Sequence, residues 1–222
     1  MRGRLIVFEG IEGCGKTTQL RRLQQWLAHS SLWGGSIVAT REPGGTPLGQ
    51  ALRQILLATS SEAEPEIHPT TELLLYASDR CQHVMTQLQP ELDAGALILC
   101  DRYTDSTVAY QGFGRGLERP LIDSLNQIAT AGLQSDLTLW LDIEVEQSLS
   151  RVRQRGTSDR IEQSGIAFHR RVREGFQHLA EQSPERIVCI EAGGDPDGIA
   201  AAIQQVVQQR LRQWQCEATP SP

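Results

Sequence analysis

The sequence places Gly10-Ile11-Glu12-Gly13-Cys14-Gly15-Lys16-Thr17 near its start, and this stretch fits the pattern G-x-x-x-x-G-K-[ST]. The apolar run Leu5-Ile6-Val7-Phe8 before it is typical of a buried strand. The residues from Thr18 to His29 after it carry leucines at helical spacing. A strand, a glycine-rich loop and a helix in this order are the setting in which the pattern binds nucleotide phosphates. The stretch, called the phosphate loop below, therefore predicts a nucleotide-binding α/β fold.

The chemistry of the phosphate loop follows from its glycines and its last two residues. Glycine lets backbone amides turn inward around phosphate oxygens, and the start of the next helix adds partial positive charge. Lys16, the only lysine of the chain, is expected to reach the β- and γ-phosphates, and the Thr17 hydroxyl is placed to bind Mg²⁺. The predicted ATP-binding residues are Gly10, Ile11, Glu12, Gly13, Cys14, Gly15, Lys16, Thr17 and Thr18.

Composition and charge limit the classes of partner. The chain has 222 residues, enough for one α/β domain with a substantial core. Its net charge of −6 argues against a general binder of nucleic acid or of acidic membranes. No apolar run is long enough to span a bilayer, and the first residues show no signal-peptide pattern. The five cysteines form no C-x-x-C pair, so we expect a reduced, cytoplasmic compartment. From the charge and the lack of a spanning segment we expect no nucleic-acid or membrane partner.

Strands and helices alternate along the rest of the chain. Further strands are predicted over residues 36–40, 96–100, 137–142 and 186–190, and helices over 48–56, 71–94, 119–131, 145–155, 167–182 and 197–214. This alternation predicts a five-stranded parallel sheet with helices on both faces, within a single domain spanning residues 1–214. Residues 60–69 are predicted to form a surface connection, and residues 215–222 a frayed tail.

Two charged residues follow the third predicted strand. In parallel sheets of this type, ligands lie beyond the carboxyl ends of the strands, which here carry Gly10, Arg41, Asp101 and Asp142. A carboxylate at the position of Asp101 is suited to hold Mg²⁺, and the neighbouring Arg102 can form paired hydrogen bonds with a phosphate. The alternative is a surface ion pair after a strand, but the position at the strand end favours a functional role.

An aromatic residue and an arginine share one predicted helix face. Tyr76 lies one helical turn before Arg80, an arrangement that suits a base that is both stacked and hydrogen-bonded. Spacing alone leaves open a core tyrosine beside a surface arginine. Arg53, Arg80 and Arg102 come from three separate segments, and each taken singly could be an ordinary solvated side chain.

The segment from residue 151 to 160 is rich in arginine. Arg151 and Arg155 share one helix face, whereas Arg153 is rotated away from it. The break at Gly156-Thr157-Ser158 is suited to the hinge of a lid, which could bring an arginine onto a transferring phosphoryl group. The alternative is a solvent-exposed helix with ordinary salt bridges.

Further blocks of the sequence resemble the bacterial thymidylate kinases over nearly the whole chain. The matching blocks are residues 8–18, 40–49, 75–77 with Arg80, 101–112 and 159–162. The resemblance implies a P-loop nucleoside monophosphate kinase fold with a lid near 151–165. It implies transfer of the γ-phosphoryl group of ATP to dTMP, giving dTDP and ADP, with Mg²⁺. It also implies a homodimer, with an interface near residues 71–88 and 101–119.

The resemblance implies a role for each candidate residue on the acceptor side. The substrate-binding set is Glu12, Arg53, Tyr76, Arg80, Arg102, Thr107, Tyr110 and Gln111. Arg102 is expected to bridge the acceptor and donor phosphates, with Arg53 on the acceptor phosphate and Glu12 beside it and the sugar. Tyr76 is expected to stack on thymine while Arg80 hydrogen-bonds the edge of the ring.

The remaining acceptor contacts and the catalytic group are implied in the same way. Thr107 and Gln111 are expected to add contacts to the base, and Tyr110 to pack against the sugar. Some relatives carry a catalytic arginine in the phosphate loop, which this chain lacks, so the lid should supply it. The predicted catalytic residues are Lys16, Arg102, Arg155 and Arg153, with Arg151 as the last choice, and Thr17 and Asp101 are the predicted metal ligands. Arg160 is expected to anchor the lid through Asp159 or Glu162.

Two alternatives and one reactive group remain open. A kinase acting on uridylate, cytidylate or adenylate would use the same phosphate chemistry, and a non-enzymatic switch would bind ATP without a second phosphate site. A guanine-nucleotide switch is excluded, because Asn-Lys-x-Asp cannot occur when Asn126 and Lys16 are the only residues of their types. Cys14 raises the hypothesis of an oxidation-sensitive thiol, against the alternative of a small residue that simply fits the loop.

Overall fold

A computed structural model describes residues 2–59, 67–156 and 159–218, and its centre is a parallel sheet of five strands. The strands are β1 (Arg4–Glu9), β2 (Ile37–Arg41), β3 (Leu97–Asp101), β4 (Leu137–Asp142) and β5 (Ile187–Glu191). Their order across the sheet is β2-β3-β1-β4-β5, and every neighbouring pair is parallel. This arrangement confirms the predicted five-stranded parallel sheet.

Helices connect the strands and cover the sheet. They are α1 (Lys16–Ala28), α2 (Pro47–Leu57), α3 (Pro69–His83), α4 (Gln89–Asp93), α5 (Thr104–Thr107), α6 (Arg119–Thr130), α7 (Val145–Gln154), α8 (Ile166–Gln182) and α9 (Pro196–Ala218). Alternate residues of β1 enter two separate apolar clusters: Ile6 and Phe8 pack with leucines of α1, whereas Leu5 and Val7 pack near α4. Both faces of the sheet are therefore buried, as its apolar strands predict.

Two π-helical segments interrupt the expected pattern. Residues Val84–Leu88 continue α3 into α4, so the predicted helix over 71–94 is three consecutive pieces. Residues Val108–Gly114 continue α5. A π-turn adds one residue to a helical turn and rotates the following side chains, and such turns are frequent at functional sites. The second segment brings Tyr110 and Gln111 to the site described below.

The last helix is longer than the sequence predicts. It continues through Ala218, so the predicted frayed tail over 215–222 is wrong for residues 215–218. Residues 219–222 lie outside the described part of the chain, as do residues 60–66 of the predicted surface connection and Thr157-Ser158 of the predicted hinge. Among the helices of the described residues, none has the length and apolar character needed to cross a membrane.

The strand order places the functional residues beside one another. Strand β1 lies at the centre of the sheet, where it pairs with β3 on one side and with β4 on the other. The backbone amide of Arg102 donates to the Phe8 carbonyl at 3.0 Å, and that of Glu42 donates to the Asp101 carbonyl at 2.9 Å. The residues that follow β1, β2 and β3 therefore meet at one edge, where ligands of such sheets bind.

Candidate active site

A cleft of about 860 Å³ opens at the carboxyl edge of the sheet. It brings together most of the residues predicted from the sequence: Glu12, Gly13, Cys14, Gly15, Lys16, Thr17, Thr18, Arg53, Tyr76, Arg80, Asp101, Arg102, Thr107, Tyr110, Gln111, Arg151 and Arg155. Gly10 and Ile11 lie beneath the cleft, where their carbonyls accept from Lys16. Arg153 is exposed and lies outside the lining, so the structure does not bring this predicted catalytic residue to the cleft.

The phosphate loop has the backbone that its glycines predict. Gly10, Gly13 and Gly15 have φ angles of 137°, 75° and 101°, which disfavour residues with a Cβ. A Cβ on Gly13 would lie 2.7 Å from the Ser148 carbonyl oxygen, because α7 packs directly against the loop. Lys16 Nζ donates to the carbonyls of Gly10 at 2.9 Å and Ile11 at 3.0 Å, which holds its ammonium group at the loop.

A hydroxyl and a carboxylate meet beside the phosphate loop. Thr17 Oγ1 donates to Asp101 Oδ2 at 2.8 Å, which joins the start of α1 to the end of β3. Mg²⁺ prefers oxygen ligands and usually takes few from the protein, the others coming from water and phosphate. The pair therefore fits the chemistry of a magnesium site shared with nucleotide phosphates.

Arg102 connects the phosphate loop to Tyr110, on the segment that follows α5. Its guanidinium donates to Glu12 Oε1 at 2.7 Å, to the Tyr110 hydroxyl at 3.1 Å and to the Gly10 carbonyl at 3.1 Å. The guanidinium carbon lies 4.8 Å from the centre of the Tyr110 ring. Burial raises the pKa of Glu12, but Arg102 and Lys16 outweigh it and leave this pKa below its ordinary value. A cation and an ionised carboxylate thus face the cleft together.

The buried carboxylate of Glu9 supports this cluster and was missed from the sequence. Its Oε1 accepts from the backbone amides of Tyr103 at 2.8 Å and Ser106 at 3.0 Å, and its Oε2 accepts from Ser106 Oγ at 2.6 Å. Ser106 Oγ in turn accepts from Arg102 at 3.1 Å. Burial, opposed by Arg102, raises the pKa of Glu9 to about 7. Its position as a carboxylate at the end of an apolar strand is the signal that could have identified it.

Arg80 is buried and is held by four hydrogen bonds. It donates to Glu42 Oε2 at 2.8 Å, to Thr107 Oγ1 at 2.7 Å, to Asn126 Oδ1 at 2.8 Å and to the Tyr103 carbonyl at 2.9 Å. These contacts use four of the five N–H groups of a guanidinium. Only a small part of Arg80 can therefore face a ligand, and the hydroxyl of Thr107 is already engaged with Arg80.

The Asp79 side chain holds the loop that follows β2. Asp79 Oδ1 accepts from the Gly44 amide at 3.0 Å, and a Cβ on Gly49 would lie 2.2 Å from the same oxygen. Burial and the charge of Glu42 raise the pKa of Asp79 to about 6. Arg53 donates to the Pro43 carbonyl at 3.1 Å, which places this arginine at the rim of the cleft. None of these partners is suggested by local spacing.

A second buried carboxylate, Glu72, lies behind Gln111, a residue that lines the cleft. Its side chain is 1% exposed and accepts from Gln111 Nε2 at 2.7 Å. It also accepts from Arg115 Nη2 at 3.1 Å and from Arg160 Nη2 at 2.6 Å. The expected anchor of Arg160 was Asp159 or Glu162, and this is wrong because Glu72 and the Leu56 carbonyl, at 2.9 Å, take that role.

Helix α7, whose end begins the arginine-rich segment, packs against the phosphate loop. Ser148 Oγ donates to the Glu12 carbonyl, and Arg151 donates to the carbonyls of Ala192 and Gly193, each at 3.2 Å. Arg155 lines the cleft and pairs with Glu162. The second half of α7 is therefore fixed, while the charge of Arg155 is held beside the cleft.

Two further groups near the loop are buried. Cys14 is 1% exposed, with its Sγ 3.5 Å from Lys16 Nζ, so its thiol is not accessible to reagents in this conformation. His169 is also 1% exposed, with Nδ1 3.7 Å from Glu12 Oε2. Both side chains are enclosed by the packing around Glu12 and the loop, and this burial favours the alternative that Cys14 is a small residue that fits the loop.

Comparisons with known proteins identify one family. The profile of the family described as thymidylate kinase matches residues 8–203. The thymidylate kinase of Nostoc punctiforme is 58% identical and that of Cyanothece sp. (strain PCC 7425) 56% identical, each over 96% of this chain and 97% of the relative. The crystal structure of thymidylate kinase from Ehrlichia chaffeensis superposes with a TM-score of 0.73 at 29% identity, covering 93% of this chain and all of that one.

Proposed function

The chain belongs to the thymidylate kinase family, and from that premise we propose how its own residues transfer the γ-phosphoryl group of ATP to dTMP, giving dTDP and ADP. The observation that carries the proposal is a single cleft with cations at two places. The phosphate loop with Lys16 lies at one end, and Arg53 and Arg102 lie on the acceptor side. A protein that only binds ATP has no need of the second cationic cluster.

The donor binds at the phosphate loop. The loop amides and Lys16 hold the ATP phosphates, for which Lys16 exchanges its present contacts with the Gly10 and Ile11 carbonyls. Thr17 and Asp101 are the residues that would hold Mg²⁺. When bound, the ion would neutralise part of the negative charge of the nucleotide phosphates.

The acceptor binds on the other side of Arg102. Arg102 and Arg53 bind its phosphate, and the Glu12 carboxylate with the Tyr110 hydroxyl, 2.7 Å apart, lies beside the sugar. The attacking phosphate oxygen is already anionic, so no general base is required. The remaining task of the protein is to align the two phosphates and to stabilise the charge that spreads over the transferred group.

The base lies between the ring of Tyr76 and the polar edge formed by Arg80 and Gln111. Thr107 acts mainly by holding Arg80, since its hydroxyl already accepts from that guanidinium. The lid supplies Arg155 and Arg151, which line the cleft. Arg153 has no role in this transfer, because it lies outside the lining of the cleft.

We also propose a homodimer in a cytoplasmic setting. Large apolar side chains remain exposed on neighbouring elements: Leu74 on α3 is 48% exposed, Met85 after α3 is 48% exposed and Ile128 on α6 is 70% exposed. Helices α3 and α6 pack against each other, so these side chains lie on adjoining surfaces. Exposed apolar side chains on adjoining elements are typical of a protein interface.

The direct test is ADP release from ATP and Mg²⁺ with dTMP, dUMP, UMP, CMP, AMP and GMP offered separately. Strong preference for dTMP is the expected result. Preference for another monophosphate would retain the phosphate chemistry but contradict the roles of Tyr76, Arg80 and Gln111. Absence of transfer to every acceptor, with ATP still bound, would favour the non-enzymatic switch.

A further inference from the structure

Glu72 joins two parts of the cleft that are far apart in the sequence. Gln111 belongs to the π-helical segment on the base side, whereas Arg160 belongs to the lid segment after Gly156. Both donate to the same carboxylate, at 2.7 Å and 2.6 Å. Arg115 donates to it as well and lies over the Phe168 ring at 4.7 Å, which adds α8 to the assembly.

The contact with Glu72 determines the orientation of the Gln111 amide. Burial raises the pKa of Glu72, but hydrogen bonds from Gln111 and Arg115 outweigh it, so this pKa lies below its ordinary value. An ionised carboxylate can only accept hydrogen bonds, so the NH₂ group of Gln111 must face Glu72. The amide oxygen then points away from Glu72. Within residues 2–59, 67–156 and 159–218, no protein donor contacts that oxygen, and Gln111 lines the cleft.

A fixed acceptor oxygen at this place selects among pyrimidines. Thymine and uracil carry an N–H group at ring position 3, which can donate to it. Cytosine carries a lone pair at the same ring position and would face the Gln111 oxygen without a proton between them. A site built to hydrogen-bond a particular group discriminates strongly against ligands that lack it, because buried polar groups are left unpaired.

The Glu72 carboxylate also anchors the lid segment, through Arg160. The Arg160 side chain donates to Glu72 through Nη2 and to the Leu56 carbonyl through Nε at 2.9 Å. Asp159 Oδ1 accepts from the amides of Ile161 at 3.0 Å and Glu162 at 2.9 Å, so the turn that follows is fixed to the same point. Glu162 is the partner of Arg155, and the chain of contacts thus extends from Glu72 to the arginine proposed for the transferred phosphoryl group.

We propose that Glu72 is a positioning residue that couples recognition of the pyrimidine ring to docking of the lid. One carboxylate orients the Gln111 amide for a ring N–H donor and anchors Arg160. The inference rests on the acceptor site proposed above. By reciprocity of coupled equilibria, an acceptor that matches Gln111 favours the docked lid, and the docked lid favours that acceptor.

The first test is Glu72→Gln, measured for base selectivity and for lid docking in the same preparation. The amide can donate as well as accept, so Gln111 is no longer held in one orientation. We expect the ratio of kcat/KM for dTMP to that for dCMP to fall about 10-fold or more. Trypsin cleavage after Arg155, followed by mass spectrometry, should be slowed by dTMP in the wild-type protein and not in the variant.

Glu181→Gln is the matched control, because exposed Glu181 also accepts from a glutamine, Gln177 Nε2 at 3.0 Å, but lies outside the cleft. Its selectivity and its protection by dTMP should equal those of the wild type. Unchanged selectivity and unchanged protection in Glu72→Gln would overturn the inference, whatever the overall rate. A wild-type protein that does not phosphorylate dTMP would instead overturn the proposed function.

A second variant covers the case in which Glu72→Gln does not fold. Arg160→Gln removes the lid contact and leaves Glu72 paired with Gln111 and Arg115. It should lose the protection of the Arg155 cleavage site by dTMP and, by the same coupling, lower the preference for dTMP over dCMP, but by less than Glu72→Gln does, because Gln111 stays oriented. Intact protection in this variant, or a loss of selectivity as large as in Glu72→Gln, would show that Glu72 does not connect the two sites as proposed.

Discussion

At the scale of single residues, the cleft depends on arginines whose side chains are held by carboxylates of the same chain. Arg102 is paired with Glu12 at 2.7 Å, and Arg80 with Glu42 at 2.8 Å in a buried position. Removing one member of such a pair leaves the other charge poorly compensated. Substitutions here should therefore affect both the ligand contacts and the arrangement of the remaining charge.

Arg102→Ala should reduce kcat/KM for dTMP by a factor that corresponds to about 3 kcal/mol or more in the transition state. The variant loses the cation between the two phosphates and leaves Glu12 facing them as an uncompensated negative charge. Steady-state kinetics with dTMP and ATP varied separately measure the effect. Arg102→Lys keeps the charge without the planar fork and should recover only part of the loss. A near-normal rate in Arg102→Ala would contradict the bridging role.

Glu9 should make the stability of the protein fall as the pH rises. Its folded pKa of about 7 lies above the ordinary value of 4.5, so the folded state holds a proton that the unfolded state has released. The stabilisation is complete below about pH 4.5 and is lost as the pH rises through about 7. The full change is roughly 3 kcal/mol as an upper value. Urea unfolding at several pH values between 5 and 8 measures it.

The variant Glu9→Gln separates this effect from that of other buried acids. Asp79, whose pKa is raised to about 6, changes stability in the same direction and remains in both proteins. The fall in unfolding free energy between pH 5 and 8 should be smaller in Glu9→Gln than in the wild type. Identical slopes would show that Glu9 is ionised throughout this range.

At the scale of helices and strands, the sequence determined where the site is but not which residues hold it together. The phosphate loop, Asp101 and Arg102 could be placed because strand ends of a parallel sheet meet at one edge. The partners of Arg80 and Arg160 could not be placed in this way. Glu42 lies 38 positions from Arg80 in the chain, and Glu72 lies 88 positions from Arg160. Such contacts arise from tertiary packing, to which local periodicity is insensitive.

The π-helical segments were also beyond prediction from apolar spacing. One extra residue in a helical turn rotates all the side chains that follow it. The spacing of apolar residues within each helix on either side of that turn stays the same, so the spacing does not reveal the π-turn. The segment Val108–Gly114 is the one that aims both Tyr110 and Gln111 at the cleft. In the lid, by contrast, helical spacing correctly placed Arg151 and Arg155 on one face and Arg153 on another.

The lid helix provides its own matched pair of variants. Arg155→Ala should lower kcat by about 100-fold or more, because it removes a cation proposed to stabilise the transferred phosphoryl group. Arg153→Ala removes an arginine two positions away that lies outside the cleft, and should change kcat by less than about 2-fold. Single-turnover kinetics with saturating ATP and dTMP compare the two. Equal losses in both variants, or a larger loss in Arg153→Ala, would contradict the assignment.

At the scale of the whole molecule, the exposed apolar surface of α3 and α6 predicts self-association. Ile128→Asp should shift the protein from dimer to monomer in analytical ultracentrifugation, because it places a charge within the proposed interface. Ile166→Asp is the control, since Ile166 is exposed on α8, outside the proposed interface, and should leave the dimer intact. A wild-type protein that sediments as a monomer at micromolar concentration would contradict the proposed dimer.

The position of Lys16 makes this protein suited to observation by a single spectroscopic label. Lys16 is the only lysine of the chain, so reductive methylation with ¹³C-formaldehyde can mark only its amine and that of the N-terminus. Methylation retains the positive charge. The Lys16 amine donates hydrogen bonds to two carbonyls, and Lys16 is only 8% exposed. It should therefore react more slowly than the terminal amine. An NMR spectrum of the product would contain one internal signal, which reports directly on the arrival of a nucleotide.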